Sequence, residues 1–165
     1  MTVQRTPLEW AFLPLKRYAQ ASGRANRAEY WWFTFAIFLV CIAVKFVDQP
    51  TGSEISVLDL MFNFGIMIPT ATVTVRRLHD TNRTGWWLLA PVIPGIVFGF
   101  QTSQAILLEI FEVWEPTPTT LISISAFVVA SAVLLIFTIL PGTCGPNRYG
   151  PDPYGEHANL DSVVF

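Results

Sequence analysis

The chain has 165 residues, of which 52% are hydrophobic and only 13% charged, with a formal net charge of −2. A soluble domain carries about 25% charged residues to wet its surface, so a soluble globular fold is excluded. Disorder, which needs low hydrophobicity and high net charge, is excluded with it.

At the N-terminus no unbroken apolar run of the signal-peptide type occurs. Leu8, Ala11, Phe12, Leu15, Tyr18 and Ala19 instead recur at helical spacing, with Lys16 and Arg17 off that stripe. The pattern predicts a short helix over 7–20 lying on the inner membrane surface and bent at Pro14. Asn26 followed three residues later by Glu29 predicts a capping box at the head of the next helix.

A helix needs about 20 mostly apolar residues to cross a bilayer. Four stretches meet that length: 30–47, 55–75, 86–108 and 121–140. The expected fold class is therefore all-α, a polytopic four-helix transmembrane bundle with an N-terminal interfacial helix and a Gly/Pro-rich tail over 141–165. The third stretch has an alternative end near Phe100, after which 105–115 would lie flat on the outer surface.

Charge orients the spans, because Lys and Arg stay cytoplasmic. With four spans, Arg5, Lys16, Arg17, Arg24, Arg27, Arg76, Arg77, Arg83 and Arg148 share one side, which is nine of the ten basic residues. Both termini are expected in the cytoplasm. Trp31, Trp32, Trp86 and Trp87 fall at the same end of spans one and three, where amphipathic rings anchor at headgroup level.

Three polar motifs collect on that face: SGRANRAEYWW over 22–32, RRLHDTNRTGWW over 76–87 in the loop between spans two and three, and GTCGPNRYGPDP over 142–153. In this order, with Pro69 seven residues before Arg76, the motifs resemble the YhaH-like bacterial inner-membrane family called domain of unknown function 805. The resemblance covers roughly 10–100 and 142–155 and leaves 101–141 outside it. It implies an integral membrane protein and carries no established activity.

Arg24, Arg27, Arg76, Arg77 and Arg83 are candidates for binding lipid phosphate or an acidic partner. His79, Asp80, Asn147 and Arg148 are expected to form a structural polar cluster, with the tail folded onto the second motif. Asp80 would then be shared among Arg77, Arg83 and Arg148, while Arg24 and Arg27 face outward. Neighbouring helical residues point in different directions, so His79 and Asp80 form no preset acid–base pair. Within the membrane Asp59 and Asn63 are the candidates for transport chemistry, and a shallow ion pair with Lys45 accounts for Asp59. Cys41 and Cys144 suggest neither a disulfide framework nor a metal site, and His157 stands alone in the tail. No catalytic residue, cofactor or nucleic-acid partner is expected. The best reading is a non-enzymatic membrane protein with a basic, Trp-rich face for lipid or a protein partner, and an oligomer is compatible with it. The alternatives are a small transporter or channel subunit using Asp59 and Asn63, and a membrane enzyme using His79 and Asp80.

Overall fold

The computed structural model describes residues 6–47, 57–107 and 117–153. Five α-helices follow one another: α1 (Pro7–Lys16), α2 (Arg27–Val47), α3 (Val57–Asp80), α4 (Leu89–Leu107) and α5 (Pro118–Ile139). A single 3-10 turn, Gly85–Leu88, precedes α4. There is no strand among the described residues. The chain divides into two compact units, one of Met1–Gly85 with Pro141–Phe165 and one of Trp86–Leu140.

The helices form where the sequence expects them, but several limits move. α1 ends at Lys16 rather than 20, with Pro14 buried inside it, and starts on a full capping box between Thr6 and Glu9. α2 begins at Arg27, where Asn26 Oδ1 accepts the Glu29 amide at 2.8 Å. The Glu29 carboxylate also meets Arg76 at 2.6 Å and lies 3.9 Å from Arg17. The largest shift is in α3, which continues past 75 to Asp80, so that RRLHD lies on the last helical turn and not in a loop. Residues 108–115 of the expected surface segment and His157 lie outside the described residues, while 105–107 continue α4.

Among the described residues three segments are long and apolar enough to cross a membrane: Arg27–Phe46, Gly85–Ser103 and Pro118–Ile139. They present their large side chains outward; Phe38 is 59% exposed, Ile96 66% and Ile122 67%. Water would penalise such a surface, whereas lipid matches it. Hydroxyls on the helices bond to their own backbone, as Thr34 does to the Tyr30 carbonyl at 2.9 Å and Thr74 to Thr70 at 2.7 Å. That solves the shortage of acceptors in hydrocarbon. α3 has 24 residues and is not among the three.

In the first unit α1, α2 and α3 pack on one another. The join depends on a proline. Pro69 has no N–H, so the Gly65 carbonyl one turn earlier loses its helical partner. Tyr18, from the segment after α1, donates its hydroxyl to that carbonyl at 2.6 Å. Thr72 Oγ1 returns a bond to the Tyr18 carbonyl at 3.1 Å. In the second unit α4 packs along α5: Ser123 donates to Gln101 at 2.9 Å, and Trp87 meets Phe137 edge-on at 5.1 Å.

Tyr18→Phe should therefore lower stability by about 1–2 kcal/mol, the cost of an orphaned acceptor. Pro69→Ala restores the missing N–H, so Tyr18→Phe should cost much less in that background. Thermal unfolding of the four proteins in detergent measures the difference, and equal costs in both backgrounds would rule the bond out as a proline repair.

Candidate functional site

The site begins with how α3 stops. Asn82 adopts a left-handed conformation at φ 58°, and its amide donates to the His79 carbonyl at 3.0 Å. The Arg83 amide reaches back to Leu78 at 2.9 Å. This pair of bonds is a Schellman closure with Asn in the glycine position. It ends the helix immediately after Asp80 and holds Arg76, Arg77 and Asp80 on fixed backbone.

Asp80 is wholly buried, and two guanidiniums close on it. Arg24 Nε donates to Oδ1 at 3.0 Å with Nη2 at 2.9 Å, and Arg77 Nη1 donates to Oδ2. Arg24 then uses its remaining donors on the tail, giving Nη2 to the Thr143 carbonyl at 2.5 Å and Nη1 to Gly145 at 2.6 Å. A second buried pair lies beside the first: Arg76 Nη1 to Glu29 Oε1 at 2.6 Å, with Arg17 3.9 Å from Oε2. The strand-like approach of the first motif is fixed by the Ala25 amide, which donates to the Arg76 carbonyl at 3.0 Å.

The tail is seated by its own backbone. The Thr143 amide and hydroxyl both donate to the Asp80 carbonyl, at 2.9 and 3.1 Å, satisfying an acceptor that the helix end leaves open. Asn147 Nδ2 donates to His79 O and to Thr143 Oγ1, each at 2.9 Å. Tyr149 stacks flat on the His79 ring at 3.8 Å. Gly142 has to be glycine, since a Cβ there would overlap the Asp80 carboxylate.

Burial pushes the Asp80 carboxyl upward, opposed first by the Arg24 hydrogen bond and then by the charges of Arg77 and Arg24. His79 is held below its usual value, mainly by burial and further by Arg148, against the Gly23 carbonyl, which favours the protonated ring. His79 Nδ1 faces that carbonyl at 3.1 Å, while the Asp80 oxygens are taken by arginines. The two side chains serve separate partners, and the arrangement is a clamp.

The expected residues fall into place unevenly. His79, Asp80 and Asn147 come together with the tail. Arg148 does not take Asp80; it donates to the Asn82 carbonyl at 3.0 Å and lies over the Tyr149 ring at 4.7 Å. Arg77 takes Asp80, as the shared-carboxylate expectation has it, whereas Arg24 and Arg76, candidates for binding lipid phosphate, are buried, because each meets a carboxylate that is itself cut off from water. Arg24 replaces Arg148 as the partner of Asp80. Arg27 and Arg148 are exposed, and half-buried Arg83 donates to Thr81 at 3.2 Å. Lys45 and Asn63 are exposed on α2 and α3, and the side chain of Asp59 lies outside the described residues. Tyr18, Glu29, Thr143 and Tyr149 are the participants that sequence reasoning missed. Glu29 has a signal, being an acidic residue that follows Arg24 and Arg27 at the head of an apolar stretch, but the cap accounts for it first.

Residues 18–151 match the protein family of unknown function DUF805, and the chain belongs to that family. The match runs through 101–141, which the motifs alone had left out. The chain is 31% identical to the inner membrane protein YhaI of Escherichia coli K12, over 88% of this chain and 96% of that one. It is 28% identical to the inner membrane protein YhaH of the same strain, over 88% and 97%. A third relative, the uncharacterised protein YiiR of that strain, is 29% identical over 92% and 90%. No solved structure matches the chain. The three apolar helices and these relatives make it a bacterial inner-membrane protein.

Two outcomes follow for the clamp. Gly142→Ala should cost about 1–3 kcal/mol by overpacking, seen as a lower unfolding midpoint and faster proteolysis of the tail. A His pKa lowered by folding adds stability above the unfolded value of about 6.5 and loses it as the pH falls towards the folded one. Acidification through that window should thus lower the midpoint of the native protein more than that of His79→Phe, which keeps a stacking ring. Parallel pH profiles would remove His79 as the source.

Proposed function

We propose that this DUF805 member is a non-enzymatic four-span protein whose motif-built cytoplasmic cap is structural, and whose arginines outside the cap hold anionic lipid headgroups. The observation that carries the reading is the partition of the arginines. Arg24, Arg76 and Arg77 turn inward to carboxylates, while Arg27 and Arg148 stay exposed, and Trp31 and Trp32 of α2 are partly exposed as well. A buried, compensated cluster gives a rigid base; an exposed guanidinium gives a phosphate ligand. The half-exposed Trp rings suit headgroup depth.

The four-span topology rests on charge and length. α3, with 24 residues, is about 36 Å long and exceeds the roughly 30 Å hydrocarbon core. Counting it as a span puts nine of the ten basic residues and both termini on the cytoplasmic side. The same side then holds the whole clamp, since Gly23, His79 and Thr143 belong to one unit.

Cys144 is exposed and Cys41 half-buried, which makes the topology testable. With Cys41 replaced, an impermeant thiol reagent should label Cys144 only from the cytoplasm. A cysteine at Thr117, with both native ones removed, should react only from outside. Labelling of both from one side would leave an odd number of spans. For the lipid role, Arg27→Ala with Arg148→Ala should weaken retention of phosphatidylglycerol over phosphatidylcholine by about 1 kcal/mol per charge, read by native mass spectrometry. Unchanged retention with an intact fold would leave the arginines as topology signals alone.

A further inference from the structure

Arg76 has no exposed surface, and only one of its three guanidinium nitrogens is used. Nη1 meets Glu29; Nε and Nη2 are buried without a hydrogen-bond partner. The two orphaned nitrogens are not scattered. They form the side-on edge of the guanidinium, whose parallel N–H groups match the two oxygens of a carboxylate or phosphate. Buried donors left open are costly, and the cost is highest on a charged group. Every other buried guanidinium contact in the unit ends on an oxygen.

Charge points the same way. The buried charged side chains among the described residues are Arg24, Arg76 and Arg77 against Glu29 and Asp80. Asp80 is engaged by Arg24 and Arg77, so Glu29 alone offsets Arg76, and Arg17 stands 3.9 Å from that same carboxylate. Two guanidiniums thus face one carboxylate, near the end of α3 where the apolar stretch gives way to the clamp. Arg17, with 37% of its side chain exposed, is the neighbour able to swing aside and then bind from the other side.

We propose that the side-on edge of Arg76, with Arg17 as second donor, is a site for one phosphate-type oxyanion, either the phosphodiester of an anionic lipid or free phosphate. The anion enters between the two arginines as Arg17 moves, takes both open N–H groups, and balances the excess positive charge. Glu29 borders the site through Arg76 Nη1 and favours a singly charged phosphodiester over a dianion. Basic pockets between helices at the cytoplasmic surface hold lipid headgroups in this way. The site is separate from the outward arginines, Arg27 and Arg148.

The test uses the full chain in nanodiscs of phosphatidylcholine without phosphate in the buffer, with unfolding followed by Trp fluorescence. Inorganic phosphate is titrated in one arm, and phosphatidylglycerol replaces part of the lipid in the other. A saturable rise of the midpoint in either arm supports the site and identifies the source, because a ligand of the folded state stabilises it by mass action. Arg76→Lys keeps the charge facing Glu29 but loses the fork; it should weaken the response on the order of tenfold, the loss of one charge-assisted hydrogen bond. Arg27→Ala with Arg148→Ala should leave this response intact, so failure of the surface role and of this site are told apart. If Arg76→Lys does not fold, Arg17→Gln at its half-exposed position takes its place and should weaken the response likewise. No response of the native protein in either arm, or an undiminished response in the folded variant, overturns the proposal.

Discussion

A carboxylate that sees no water organises the end of α3 where the three polar motifs meet. Asp80 is closed off by Arg24 from the first motif, by Arg77 one turn back on its own helix, and by the backbone of Gly142 in the third. Removing one partner of such a pair leaves a charge stranded, at a cost of about 3–5 kcal/mol. The three segments are therefore held to one geometry although 56 and 119 residues of sequence separate their contacts with Arg24. The guanidinium is the suitable group: it spends one face on the carboxylate and still has donors for two carbonyls of the tail.

The membrane-embedded parts obey the same accounting of donors and acceptors by other means. Hydroxyls of Thr34, Thr74, Thr102 and Thr138 fold back on carbonyls of their own helices. Where Pro69 opens a gap in α3, the Tyr18 hydroxyl closes it from a different segment. Apolar surface needs no such treatment in lipid, so side chains such as Phe46 and Met61 remain outward. Buried charge among the described residues is confined to the cluster of Arg24, Glu29, Arg76, Arg77 and Asp80, and there nearly every donor has its acceptor. Arg76 is the exception, with Nε and Nη2 buried and unmatched.

Much of the fold was legible because hydrocarbon imposes a length and a composition that no tertiary contact can waive. The apolar runs at 30–47, 86–108 and 121–140 each contain a helix of spanning length. The helix start at Asn26 follows from its capping side chain. The end of α3 was misplaced because arginine, histidine and aspartate read as a water-exposed loop. The helix continues because burial gives these groups partners, a tertiary override of a local signal.

Sequence by itself determined the class, an all-helical membrane protein of the DUF805 family, since hydropathy, charge asymmetry and motif order are properties of the chain alone. It also brought the second and third motifs to the same face. Only the tertiary structure decided which arginines stay exposed and which face carboxylates, for a guanidinium has one appearance in sequence whether it meets phosphate, water or Asp80. Pairing depends on which acceptors arrive within about 3 Å after packing. That is why Arg24 stands where Arg148 was expected, and why Arg76 lies inside with one edge still open.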